Sequence, residues 1–362
     1  MTDVVEADDT QLVQELQAGL TSVLGNGAAR DRVGVSESAA RTEGALAELG
    51  WSSLGAPIEA DGPGIAPWDL APLMTTVGKN LAPGPLAEML LLPAVFALAD
   101  ADGLALVDGG ATPAWAAHVG VVRQATDRIR GEVALVQRPA TITGLVVVVE
   151  GPEEGDSPCL VARIPYPQSG VSVDEVVSAD PTARLCTISI DVAEADVEVL
   201  AAGADAARMV QDLRSWRRVL AACEMTGIAE RVLADSLDYA QVRHQFGRAI
   251  GSFQAVKHIL AEMAQKSMSL SALCQLTLHR APEAGPDERE LAALTVYAHA
   301  CEVVRFVTEG GLQVHGGIGF TEELDLQLFI KRAYALSVTL GGAAETLSEI
   351  GSRRLFAREA VC

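Results

Sequence analysis

Apolar positions along the chain change their period twice. Up to about Asp100 they recur at helical steps in an alanine-rich stretch, broken by a Gly/Pro-rich connection over 55–67. Between Gly103 and Leu200 they gather into runs of strand length, at 104–107, 118–122, 131–136, 144–150, 159–164 and 185–192. Short runs punctuated by Pro, Gly and Asp predict an antiparallel sheet or barrel and not a parallel α/β sheet. After Ala201 the helical period returns. Leu213, Trp216, Leu220, Cys223 and Gly227 fall at steps of three and four, as do Phe253, Val256, Leu260 and Met263, and then Leu291, Leu294, Ala298 and Cys301. Pro282, Gly285 and Pro286 interrupt this last region, and Asp287 is placed to cap the helix that follows. The pattern predicts an α+β chain in three domains: an N-terminal helical domain over 1–102, a middle β-sheet or barrel domain over 103–200, and a C-terminal helical bundle over 201–362.

Composition narrows the function classes. A chain of 362 residues, 49% apolar, is long enough to bury one large core or two to three smaller ones. Its formal charge of -21 repels phosphate backbones and anionic headgroups, so neither nucleic acid nor a membrane surface is an expected partner. No run reaches the roughly 18 to 20 uninterrupted apolar residues of a membrane span. The N-terminus is acidic where a signal peptide would be basic, so a cytoplasmic location is expected. Six cysteines without a C-x-x-C pair and six histidines without metalloenzyme spacing point to no metal site.

Two stretches carry chemistry. In RHQFGRAIGSFQAVKH, Arg243 to His258, an arginine offers a guanidinium fork for a diphosphate, glutamines offer amide hydrogen bonds, and Phe246 and Phe253 offer faces for a flat ring. Read alone, the stretch is as well explained as a solvated cap between helices. In QVHGGIGF, Gln313 to Phe320, three glycines follow a histidine, so that a phosphate cradle, a metal site and a plain turn all remain open.

Together these stretches resemble the C-terminal domain of the acyl-CoA dehydrogenase family, with its patterns R-x-x-F-G-x-x-I-x-x-F-Q and Q-x-x-G-G-x-G. The segment Leu49–Leu86 looks like the same family's entry region. The resemblance implies that the C-terminal bundle is a four-helix bundle, and it implies FAD, an acyl-CoA thioester, an electron-transfer flavoprotein or similar acceptor, and oligomeric assembly. It also implies that each FAD lies across a subunit interface, its ADP half held by the neighbouring chain. On that basis Arg243, Gln245, Phe246, Phe253, Gln254, Gln313, Gly316 and Gly317 are the expected cofactor contacts, and His315 is expected to be structural.

The resemblance also implies a glutamate base at one of two positions, and neither holds one. Leu340 stands where the Y-E-G-T-like turn carries it, and Arg217, 26 residues before Arg243, stands at the other. Glu224 and Glu345 are acids displaced from both positions. The family's flavin-contacting strand is reduced to Leu104–Trp115. No catalytic residue is therefore expected in this chain. The expectation is the non-catalytic half of a hetero-oligomer, completing the FAD site of a homologous catalytic subunit that acts on a bulky acyl group such as a steroid side chain. A self-sufficient homo-oligomeric flavoenzyme with a relocated base, and a non-enzymatic scaffold, are the alternatives.

Overall fold

The run Gly144–Glu150, with four consecutive valines, forms a strand buried on both faces. It belongs to a computed structural model that describes residues 5–24, 42–46, 48–58, 62–98, 113–114, 122–125, 127–137, 144–150 and 158–359. The chain divides into two compact units, the first of 1–25, 32–70 and 83–217, the second of 26–31, 71–82 and 218–362.

Among the described residues the first unit holds an eight-stranded sheet: β1 (Pro113–Ala114), β2 (Val122–Ala125), β3 (Arg128–Gln137), β4 (Gly144–Glu150), β5 (Pro158–Pro165), β6 (Val171–Val176), β7 (Leu185–Ala193) and β8 (Glu198–Ala202). The order is β6-β7-β3-β2-β4-β5-β8, with β1 beside β4. In β7 buried and half-buried positions alternate strictly, so that Cys186, Ile188, Ile190 and Val192 face one core with Ile129, Val133 and Val136 of β3. The apolar runs at 131–136, 144–150, 159–164 and 185–192 all lie in strands, whereas 104–107 and 118–121 lie outside the described residues. The sheet is antiparallel except where β1 and β2 pair in parallel with β4. The chain passes β2 after leaving β3 and adds β4 on the far edge of β2, so these two run the same way; each parallel contact spans two residues, too few to leave a period in the sequence.

Helices of this unit are α1 (Val5–Leu24), α2 (Pro67–Leu70), α4 (Leu86–Leu98) and the start of α5 (Gly203–Val242). Residues 86–95 of α4 are apolar nearly all round and all buried, the habit of a core helix. Trp51 donates its indole N–H to the Leu86 carbonyl at 3.1 Å, and Trp68 packs against Trp216 with ring centroids 5.9 Å apart.

The second unit contains α3 (Leu73–Asn80), the rest of α5, a hairpin of β9 (His244–Gln245) and β10 (Arg248–Ala249), then α6 (Gln254–Arg280), α7 (Pro286–His315), α8 (Leu326–Thr339) and α9 (Gly342–Glu359). From Val219 to Ala229, α5 is buried on every side. It admits α3 closely because both helices carry a glycine at the crossing: a Cβ on Gly227 would stand 2.0 Å from the Thr75 carbonyl oxygen, and one on Gly78 would stand 2.0 Å from that of Glu224. α7 is the central helix of the rest, packed on α6, α8 and α9. Its length and composition would let it cross a membrane, yet 61% of its apolar window is buried within the protein. Asp287 does not cap α7. Gly285 holds the N-cap position and Pro286 opens the helix, which places Asp287 inside the first turn, where its charge still favours the helix dipole. The described cysteines of this unit pack the core: Cys223, Cys274 and Cys301 are free and buried, and burial pushes the Cys301 thiol up to about 11, so it stays protonated at neutral pH.

Candidate functional site: an exposed aromatic and cationic hairpin beside a glycine turn

The eight residues expected to contact a cofactor all lie in the second unit, at the ends of α5 and α7 and the start of α6. Seven are exposed and Phe253 is half-buried. α5 ends as the Arg243 N–H reaches the Tyr239 carbonyl at 2.9 Å. The chain then reverses through a two-residue turn, Phe246–Gly247, pairing Gln245 with Arg248 and His244 with Ala249. Both turn residues have positive φ, 53° and 79°, the geometry of a tight hairpin turn that suits glycine at its second place. At the first place Phe246 bears the cost of a left-handed backbone, roughly 1–2 kcal/mol, while its ring is 92% exposed. A strained, solvated aromatic residue at a hairpin tip is the signature of a surface held ready for something else.

Behind the tip, Phe246 meets Phe253 edge-on at 6.1 Å, and the Arg248 guanidinium lies 4.0 Å over the Phe253 ring. Sequence reasoning did not single out Arg248; its signal was its place across the turn from Gln245. Among the described residues neither Arg243 nor Arg248 pairs with a carboxylate. Two exposed arginines without counter-charge among the described residues make the hairpin locally positive in a protein of net charge -21. The first residue of α6 is Gln254, so the positive end of that helix dipole lies next to them, without a side-chain cap.

The second stretch is a helix C-terminus. α7 runs through His315, and Gly316 (φ 63°, ψ -138°) turns the chain into a short 3-10 segment, Gly316–Phe320. That combination of angles is open to glycine and to few other residues. Space around Gly316 and Gly317 is free, with nothing within 4 Å of where a Cβ would stand, so a ligand can approach their backbone. The negative end of the α7 dipole excludes a phosphate cradle of the helix-N-terminal kind, and any contact here is made by Gln313 and the turn amides. His315 is buried, as expected of a structural residue. Its Nδ1 lies 2.8 Å from the Gly311 carbonyl, which can only accept, and its ring stacks on Tyr239 with centroids 4.5 Å apart.

The positions implied for a base are filled otherwise. In the first unit the Arg217 guanidinium donates from Nε to Glu88 Oε1 at 2.7 Å, and each side chain is 2% exposed. Glu88 was missed from sequence because a lone acid in an apolar run has no readable partner. In the second unit Leu340 is buried at the end of α8, where its N–H reaches the Tyr297 hydroxyl. Glu224 is buried too, and Arg332 Nη1 holds it at 2.9 Å. Glu345 is exposed in the first turn of α9, a solvated helix start.

The family pattern described as acyl-CoA dehydrogenase, C-terminal domain, matches residues 207–356, which include both stretches. This C-terminal stretch belongs to the acyl-CoA dehydrogenase family. Acyl-CoA dehydrogenase FadE34 of Mycobacterium tuberculosis is 28% identical over 313 residues, covering 84% of this chain and 41% of that protein. The chain thus spans about two fifths of the length of that relative. The same fold occurs in the ChsE4–ChsE5 complex of M. tuberculosis (TM-score 0.78, 22% identity, 98% of each chain) and in the FAD complex of PigA (TM-score 0.79, 17% identity, 99% of each chain).

Proposed function

We propose that this chain is a subunit of an FAD-dependent acyl-CoA dehydrogenase that grips the ADP half of the flavin bound by a catalytic partner subunit. The observation that carries this reading is the division of the site. The hairpin carries two exposed arginines, Arg243 and Arg248, that pair with no carboxylate among the described residues, while Arg217, locked on Glu88, stands where the family resemblance puts a base. The donor set fits the group. Arg243 and Arg248 would take the diphosphate, Gln245, Gln254 and Gln313 would hydrogen-bond ribose and adenine edges, Phe246 and Phe253 would cover a flat ring, and Gly316 and Gly317 would let the backbone come close. In that role the side chains bind, orient and exclude water.

When bound, FAD supplies the acceptor for the hydride that leaves Cβ of a CoA thioester during α,β-desaturation. The α-proton needs a base within hydrogen-bond reach. Glu224 and Glu88 each face an arginine in a buried ion pair, so neither is available for it. The partner subunit would supply the base. Two further observations support a two-subunit arrangement: the fold recurs in a structure described as a ChsE4–ChsE5 complex, and the matched stretch leaves enough of FadE34 for a second unit of similar length. A bulky acyl group, of the steroid side-chain class, and an electron-transfer flavoprotein or similar acceptor complete the proposal.

The test is cofactor stoichiometry. Purified alone, the chain should carry little FAD; co-expressed with a homologous subunit that has the missing glutamate, it should co-purify with about one FAD per two chains. Absorbance of released flavin against protein concentration reads this directly. One tightly held FAD per chain in the isolated protein would reject the division of labour and favour a homo-oligomeric enzyme.

A further inference from the structure

The two arms of the proposed clamp leave different helices, yet one pair of rings lies at the root of both. Tyr239 is the residue whose carbonyl accepts the Arg243 N–H, so it sits one helical turn before the hairpin. His315 immediately precedes the Gly316 turn. The rings stack at 4.5 Å with 27° between their planes, and the bond from Nδ1 to the Gly311 carbonyl fixes the rotation of the imidazole.

Packing on both sides of the stack runs in the same sense. One turn earlier, α5 and α7 approach closely: a Cβ on Gly311 would stand 2.6 Å from Val232 Cγ1 and 3.3 Å from Ser236 Oγ. On the outer side each arm folds back on its own root. A Cβ on Gly319 would stand 3.2 Å from His315 Cβ, and one on Gly251 would stand 2.9 Å from the carbonyl oxygen of Ala240, the neighbour of Tyr239. The glycine turn therefore rests on Leu312 and His315, and the end of the hairpin rests beside Tyr239. A shift of either ring moves the platform beneath one arm relative to the other.

We infer that Tyr239 and His315 are positioning residues, a strut that holds the hairpin and the glycine turn at the separation needed to close on one dinucleotide. Resting on the clamp reading, this assigns to the histidine of the glycine motif a task that needs neither metal nor proton transfer. The strut acts through the arms and does not itself touch the ligand.

Hydrogen exchange followed by mass spectrometry on the full chain tests it without any ligand. Tyr239→Leu should raise exchange about three- to tenfold in peptides spanning 312–320, although the substitution lies on α5, because a stacked ring pair is worth about that factor. Replacing His315 by Leu should do the reciprocal to peptides spanning 243–253, and Tyr239→Phe, which keeps the ring, should stay close to the unmodified protein. A rise confined to the substituted arm, a rise spread along the whole bundle, or equal behaviour of the Phe and Leu variants would each overturn the strut. The clamp reading stands or falls separately, on whether Arg243→Ala, which leaves both rings in place, loosens FAD in the assembled complex.

Discussion

Glu88→Gln should destabilise the first unit by about 3–5 kcal/mol, the range for a buried ion pair broken from one side. The replacement is nearly isosteric, so little of the loss comes from a cavity. It arises because Arg217, which cannot give up its proton in a protein, loses the carboxylate that compensates its burial, at a site where both side chains are 2% exposed. Trp51, Trp68 and Trp216 lie in the same unit and pack around α4 and the start of α5, so tryptophan emission during denaturant unfolding reports on this region. Replacing Glu88 by Leu together with Arg217 by Met should recover most of the loss, since both charges then leave. A cost below about 1 kcal/mol for Glu88→Gln, the level of a solvated pair, would mean that Arg217 is not locked, and the argument that its position is closed to a base would go with it.

Arg243→Ala should weaken FAD binding in the assembled complex about ten- to a hundredfold, following the roughly 1.5–3 kcal/mol of a hydrogen bond to a charged group. Arg243 is exposed and makes no ion pair among the described residues, so its loss should leave the thermal unfolding of the chain alone almost unchanged. Turnover at low FAD should fall while turnover at saturating FAD returns to near the original value, because the residue holds the cofactor and does not take part in proton transfer. Titration of FAD into the flavin-stripped complex, followed by flavin fluorescence, separates the two effects. If affinity does not change, Arg243 is a solvated helix cap and the hairpin is not a clamp. If instead saturating FAD fails to restore turnover, the arginine acts on chemistry or assembly and its role must be redrawn.

Much of this architecture is legible from period alone. Strict alternation in β7 and the recurrence of Leu213, Trp216, Leu220 and Cys223 in α5 reflect local rules, since side chains point to opposite faces of a strand or line one face of a helix whatever lies beyond. The two turns were recognisable for a related reason: Gly247 and Gly316 hold backbone that other residues adopt at a cost. Strands β1 and β2 were harder, because two-residue pairings carry no period.

The sequence by itself determined most of the segments that become helix or strand and marked the two stretches proposed to hold the dinucleotide, because these depend on neighbours a few positions away. Only the tertiary structure decided what the isolated charges and rings do. Glu88 and Arg217 are separated by 129 positions, Glu224 and Arg332 by 108, and Tyr239 and His315 belong to different helices. No spacing rule joins such residues, because burial and helix crossing set their partners. At the crossings a pair of glycines, or one against a valine and a serine, fixes how near two helices come. Hence the same glutamate that reads as a possible base in the chain becomes, once folded, the counter-charge of an arginine.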